Sequence, residues 1–156
     1  MVARRSFPMV CLALLFPSLL PGALRAQTKL DALDVWQRQA QQQLYQHRVS
    51  LGLDDMTHAI GIGQLAQGAS HSFTFTAQGP GVFRVLAVCD NDCLDVDLTL
   101  YDMGGNQIDI DVETDDFPWV DTDKLPVGTS RQFRVEVSMA SCSADPCRYA
   151  LAVFAM

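Results

Sequence analysis

The sequence predicts a mainly β domain, an antiparallel sandwich or barrel of roughly six to eight strands, preceded by one amphipathic helix. Three observations carry this. Beyond residue 56 the apolar residues recur at every second position. Those runs are separated by turns rich in Gly, Pro and Asp. Residues 29–50, in contrast, hold no Gly or Pro and repeat their apolar residues every three or four positions.

The chain opens on an export signature. Arg4 and Arg5 precede an apolar run over 9–20, which Pro21 and Gly22 end, and Ala26 offers a small residue for cleavage before Gln27. That is the layout of a signal peptide over 1–26. The run is too short for a membrane span, which needs about 20 apolar residues. Val10 precedes Cys11, so Cys11 is poorly placed for lipidation. Cleavage leaves Cys89, Cys93, Cys142 and Cys147, an even number that in an oxidising compartment reads as two disulfides. It also removes Arg4, Arg5 and Arg25 from a chain whose formal charge is already -7. So acidic a protein should not hold nucleic acid or anionic lipid by charge. The expected location is periplasmic or secreted.

The helix is expected over 27–53. Leu30, Leu33, Trp36, Ala40, Leu44, His47 and Leu51 form its apolar stripe. Thr28 with Asp31 three residues on suits its start, and Gly52 suits its stop. The plainer reading is docking on the following domain through Leu33, Trp36 and Leu44. The sharper one is an oligomer seam.

The sandwich is expected over 54–156. Phe73 and Phe75 alternate with Ser72, Thr74 and Thr76, and residues 81–89 form a nearly continuous apolar strand. Leu94, Val96, Leu98 and Leu100 alternate with Asp95, Asp97, Thr99 and Tyr101, and Ile108, Ile110 and Val112 with Asp109, Asp111 and Glu113. Phe133, Val135 and Val137 alternate likewise, and Tyr149, Leu151 and Val153 supply a last strand. Strict alternation means one buried and one wet face. Asp102-Met103-Gly104-Gly105-Asn106 is the clearest hairpin loop.

At this hairpin the sequence resembles a known family. The run Asp95-Val96-Asp97-Leu98-Thr99-Leu100-Tyr101-Asp102, followed by Gly105-Asn106 and a second strand, resembles the bacterial pre-peptidase C-terminal domain. Ser72-Phe73-Thr74-Phe75, Phe133-Arg134-Val135-Glu136-Val137 and Tyr149-Ala150-Leu151 are similar to other strands of that family, so the resemblance spans about 60–154. It implies a small jelly-roll-like β-sandwich, usually a non-catalytic appendage of exported enzymes. Related modules of bacterial collagenases bind calcium and extracellular polymers. This sequence departs in carrying no peptidase, in its preceding helix and in its two cysteine pairs.

The acidic segment over 90–123 has no Lys or Arg. If the strands holding Asp95 and Asp97 and those holding Asp109 and Asp111 pair as a hairpin, the four carboxylates could lie side by side. Like charges opposed in a sheet destabilise it unless neutralised. A solvated acidic face is the plainer reading. A Ca2+ site built from Asp95, Asp97, Asp109 and Asp111 is the sharper one, because calcium accepts irregular oxygen cages.

Each cysteine pair, Cys89 with Cys93 and Cys142 with Cys147, brackets one short turn and is expected to staple it, although four cysteines allow three connectivities. The spacings are not the paired CxxC of a zinc site. Phe117 and Trp119, flanked by acids, are either a small ligand platform or a cover for one end of the core. His47, His58 and His71 fit neither a nucleophile elbow nor HExxH. The expected function is therefore a non-catalytic exported module recognising an envelope or extracellular protein or polysaccharide. The alternative is a small secreted hydrolase or inhibitor.

Overall fold

The computed structural model describes residues 21–54 and 56–156, with side chains from residue 35 onward apart from residue 59. One helix, α1 (Pro21–Leu51), precedes eight strands: β1 (Met56–Leu65), β2 (Ser70–Gln78), β3 (Phe83–Cys89), β4 (Cys93–Asp102), β5 (Gln107–Asp111), β6 (Trp119–Asp121), β7 (Ser130–Cys142) and β8 (Cys147–Ala155). They form two four-stranded sheets, ordered β1-β8-β3-β6 and β2-β7-β4-β5, with antiparallel pairing throughout. Consecutive strands switch sheets except at the β4–β5 hairpin. This is the jelly-roll winding of a β-sandwich.

The alternation works as expected in most strands. Val96, Leu98 and Leu100 of β4 meet Val135, Val137 and Met139 of β7 and Val85, Ala87, Leu151 and Val153 of the opposite sheet in one inter-sheet core. The β4–β5 turn is held as its residues suggest. Asp102 accepts from the Asn106 backbone N–H at 2.8 Å and from its side-chain amide at 2.9 Å, and Gly105 takes the positive φ of 85° that the turn needs. Those bonds from Asn106 hold the Asp102 carboxyl below its ordinary range.

Strands β3 and β8 are apolar on both faces for a second reason. Leu86, Val88, Ala150, Ala152 and Phe154 point away from the inter-sheet core, and α1 covers them with Trp36, Ala40 and Leu44. The near-continuous apolar run at 81–89 thus reflects a strand buried on both sides. Docking through Trp36 and Leu44 is as expected, while the side chain of Leu33 lies outside the described residues. The helix stops at Gly52, whose φ is 65°, with Leu53 N–H bonding Arg48 O at 3.1 Å and Gly52 N–H bonding Val49 O at 3.3 Å. This double closure satisfies two terminal carbonyls.

The start of α1 differs from expectation. The helix runs from Pro21 rather than from Thr28. Proline fits a first helical position, and Ala23, Leu24, Arg25, Ala26 and Gln27 are all good helix formers, so the helix extends back through Gly22 to Pro21. The remainder of the expected signal segment, 1–20, lies outside the described residues. Among the described residues no helix is long and apolar enough to cross a membrane.

Two glycines of β1 are seats for aromatic rings. A Cβ on Gly61 would lie 2.5 Å from a ring carbon of Phe73, and one on Gly63 would lie 2.8 Å from the Tyr149 hydroxyl. That hydroxyl in turn lies 3.0 Å from His71 Nδ1. This glycine pair is therefore packing space within a strand.

Candidate binding cleft

The turn between β3 and β4 is short and tightly held. A disulfide joins Cys89 and Cys93 across it, with Cα atoms 5.9 Å apart. Asp90 N–H bonds Arg148 O at 3.1 Å, and Cys93 N–H bonds Asp90 O at 3.0 Å. Asp92 O accepts from Ser143, which lies in the turn closed by the second disulfide, Cys142–Cys147. Cys93 and Cys142 are register partners in β4 and β7, so both staples sit at one end of the sandwich. The local pairing expected from the sequence is the one present.

This braced turn faces α1. Between them lies an open cleft of about 380 Å³. Gln39, Gln42, Gln43 and Gln46 line its helix side, and Asp90, Asn91 and Asp92 line its turn side. Trp36 and Arg148 complete it. The glutamines recur at three- and four-residue steps, which places them on one flank of the helix beside the buried stripe.

Three side-chain atoms here are buried without a hydrogen-bond partner: Trp36 Nε1, Gln43 Oε1 and Asp90 Oδ1. Trp36 is 2% exposed. A buried polar atom left unpaired costs about 1–3 kcal/mol, so such atoms are normally paired. Burial pushes the Asp90 carboxyl above its ordinary range, and the neighbouring Asp92 charge adds to this. Backbone amides and the Arg148 charge act in the opposite sense.

The four expected metal ligands do not gather into one cluster. Asp95 and Asp97 lie on the outer face of their sheet, where Asp97 is the register partner of Ser138. Asp109 and Asp111 pair with Leu100 and Leu98 and so share the inward face. A register shift between Leu100 and Tyr101 leaves Ile108 without a partner and reverses the parity of the residues after it. Asp111 Oδ2 accepts from Trp119 N–H at 2.9 Å, and Asp109 Oδ2 accepts from Asp121 N–H at 2.8 Å. Their other oxygens accept from Glu113 and Ile110 amides. These carboxylates close the open side of the sandwich by capping edge strand β6. Among the described residues no group of three or more His, Cys, Asp or Glu is placed to hold a metal ion. Calcium chloride and sodium chloride at matched ionic strength are accordingly expected to shift the melting temperature alike. A calcium-specific rise in calorimetry would contradict this.

Asp97 is the strained member of the four. Burial raises its carboxyl above the ordinary range, and the charges of Asp95 and Asp111 add to the shift. A carboxyl raised in the folded state destabilises that state once ionised. The cost is absent below the unfolded pKa, grows as pH rises through the folded one and is full at neutrality. Asp97→Asn is therefore expected to stabilise the protein at pH 7 by up to ~1 kcal/mol, with the gain vanishing near pH 3. Thermal melts across pH check it.

Phe117 and Trp119 do not form a shared platform. Phe117 stacks on His47 of α1 with ring centroids 3.2 Å apart and packs against the helix-side cluster. Burial lowers the His47 pKa, against the pull of Asp116. Trp119 is 39% exposed, so it is not a core cover either. Arg84 lies over its ring at 3.7 Å and forms a two-pronged bond to Asp121 at 2.7 and 2.6 Å. The cleft residues were legible only as a helix unusually rich in glutamine on its exposed side, and as one acidic turn among several.

No family model matches this chain, and no curated protein matches it. Solved structures similar to it include the pre-peptidase C-terminal domain of a Bacillus anthracis collagenase. That likeness has a TM-score of 0.45 at 12% identity and covers 65% of this chain and 89% of that one. Another is a carbohydrate-binding module of Cellvibrio mixtus lichenase 5A in complex with cellotriose, with a TM-score of 0.37, 9% identity and 67% and 95% coverage. A third is a family 61 carbohydrate-binding module in complex with β-1,4-galactotriose, at 0.34, 19% and 60% and 69%.

Proposed function

We propose that this chain is an exported, non-catalytic binding module that takes its ligand, part of an envelope or extracellular polymer or protein, in the cleft between α1 and the β3–β4 turn. The observation that carries this reading is the gathering there of three of the four buried, unpartnered side-chain atoms among the described residues. A ligand that pairs them gains what the folded protein alone forgoes. The turn that carries Asp90 is braced by a disulfide and by backbone bonds, so little ordering is needed on binding. Export is supported by the two disulfides and by the charge and apolar pattern of the leading residues.

The chain has two tryptophans, Trp36 and Trp119, so ¹⁵N-labelled protein gives two indole signals. Titration with a solubilised envelope polymer fraction is expected to move the Trp36 signal saturably and to leave Trp119 in place. Gln43→Ala and Asp90→Ala should each weaken the response about tenfold, consistent with loss of one buried hydrogen bond, while keeping the melting temperature within a few degrees. Movement of Trp119 alone would defeat the assignment.

A further inference from the structure

We infer that the cleft recognises an uncharged, hydroxyl-rich ligand, the end of a neutral glycan chain. The inference rests on the binding role proposed above for this cleft. It follows from the polarity of the unpaired groups. Trp36 Nε1–H can only donate, while the oxygens of Gln43 and of an ionised Asp90 can only accept. A hydroxyl does both, so a hydroxyl-rich ligand can receive from the indole and donate to the oxygens. An ammonium group would serve the oxygens and leave the indole unpaired. A carboxylate or phosphate would serve the indole but meet Asp90 and Asp92, against a single Arg148.

The rest of the lining agrees. Apart from Trp36, every lining residue is an amide, a carboxylate or a guanidinium. Amides offer both a donor and an acceptor, as a ring of hydroxyls requires. A peptide with apolar side chains would need apolar subsites, and this cleft supplies none beyond Trp36. Its volume of about 380 Å³ lies near the lower end of small-molecule sites, and its open mouth lets a chain continue into solvent.

The test is the same two-signal indole spectrum, with chemically defined probes. A set of neutral oligosaccharides of gluco, galacto and manno configuration, a lysine-bearing tetrapeptide and an uncharged tetrapeptide would be titrated in parallel. At least one neutral oligosaccharide is expected to shift Trp36 saturably, with Asp90→Ala weakening it about tenfold and Trp119→Phe leaving it unchanged. If a peptide moves Trp36 and no sugar does, the glycan assignment falls and the cleft remains a binding site. If neither sugars, peptides nor the envelope polymer fraction move it, both readings fall.

Discussion

Trp36→Ala is expected to lower stability by about 3–5 kcal/mol, the usual cost of emptying a buried tryptophan site. Trp36 is 2% exposed and forms the centre of the cluster beneath α1 with Ala40, Leu44, Leu86 and Phe154. The inter-sheet core is a separate cluster, so the loss should be local. Native-state hydrogen exchange should then show amides over 35–51 exchanging far faster, while those of β4 and β7 keep their protection. This is the behaviour of a weakly coupled cooperative unit. Loss of protection throughout would mean that helix and sandwich fold as one. Unchanged protection over 35–51 would show that the helix is not held by this residue. Chemical denaturation supplies the magnitude, and Leu44→Ala should follow the same pattern at about 2–5 kcal/mol.

Replacing both Asp109 and Asp111 with alanine is expected to cost about 2–4 kcal/mol, from two charge-assisted bonds at a partly exposed edge. Each carboxylate accepts a backbone N–H of β6, from Trp119 and Asp121, and thereby ties the edge of one sheet to the edge of the other. Loss of the acceptors leaves edge amides of β6 unpaired, which also opens a route to association through that edge. Asparagine at both positions keeps a carbonyl acceptor and should cost less than half as much. Urea melts at several protein concentrations would report both effects. The contrast with Asp97 is the informative part, because Asp97→Asn is expected to stabilise. A uniform response of all four aspartates would mean that they act as one acidic face after all.

The divergence between these aspartates shows how far the sequence could be read. Alternation in β4 and β7 named their buried residues, because both strands lie inside a sheet and one face must meet the core. The turn residues located the hairpin, and cysteine spacing located the staples. The stripe through Trp36, Ala40 and Leu44 identified the docking face of α1, since an exposed apolar stripe is costly for any chain. In β5 the same reasoning placed Ile110 inside and Asp111 outside, whereas Ile110 is 44% exposed and Asp111 points inward. β5 is an edge strand next to a register shift, where burial gives little preference for either parity. The unpaired amides of β6 then favour the aspartates.

Patterns of residues close along the chain thus located six of the eight strands, the hairpin turn, the docking face of the helix and the two cysteine-bracketed turns, while β1 and the three-residue β6 carried no alternation of their own to mark them. The cleft and the fate of the acidic segment depend instead on contacts between residues far apart along the chain. The cleft joins residues 36–46, 90–92 and 148, which meet only because β3 and β8 pair beneath α1. Whether a polar atom is left without a partner depends on every neighbour the fold brings to it, and periodicity along the chain carries no record of that.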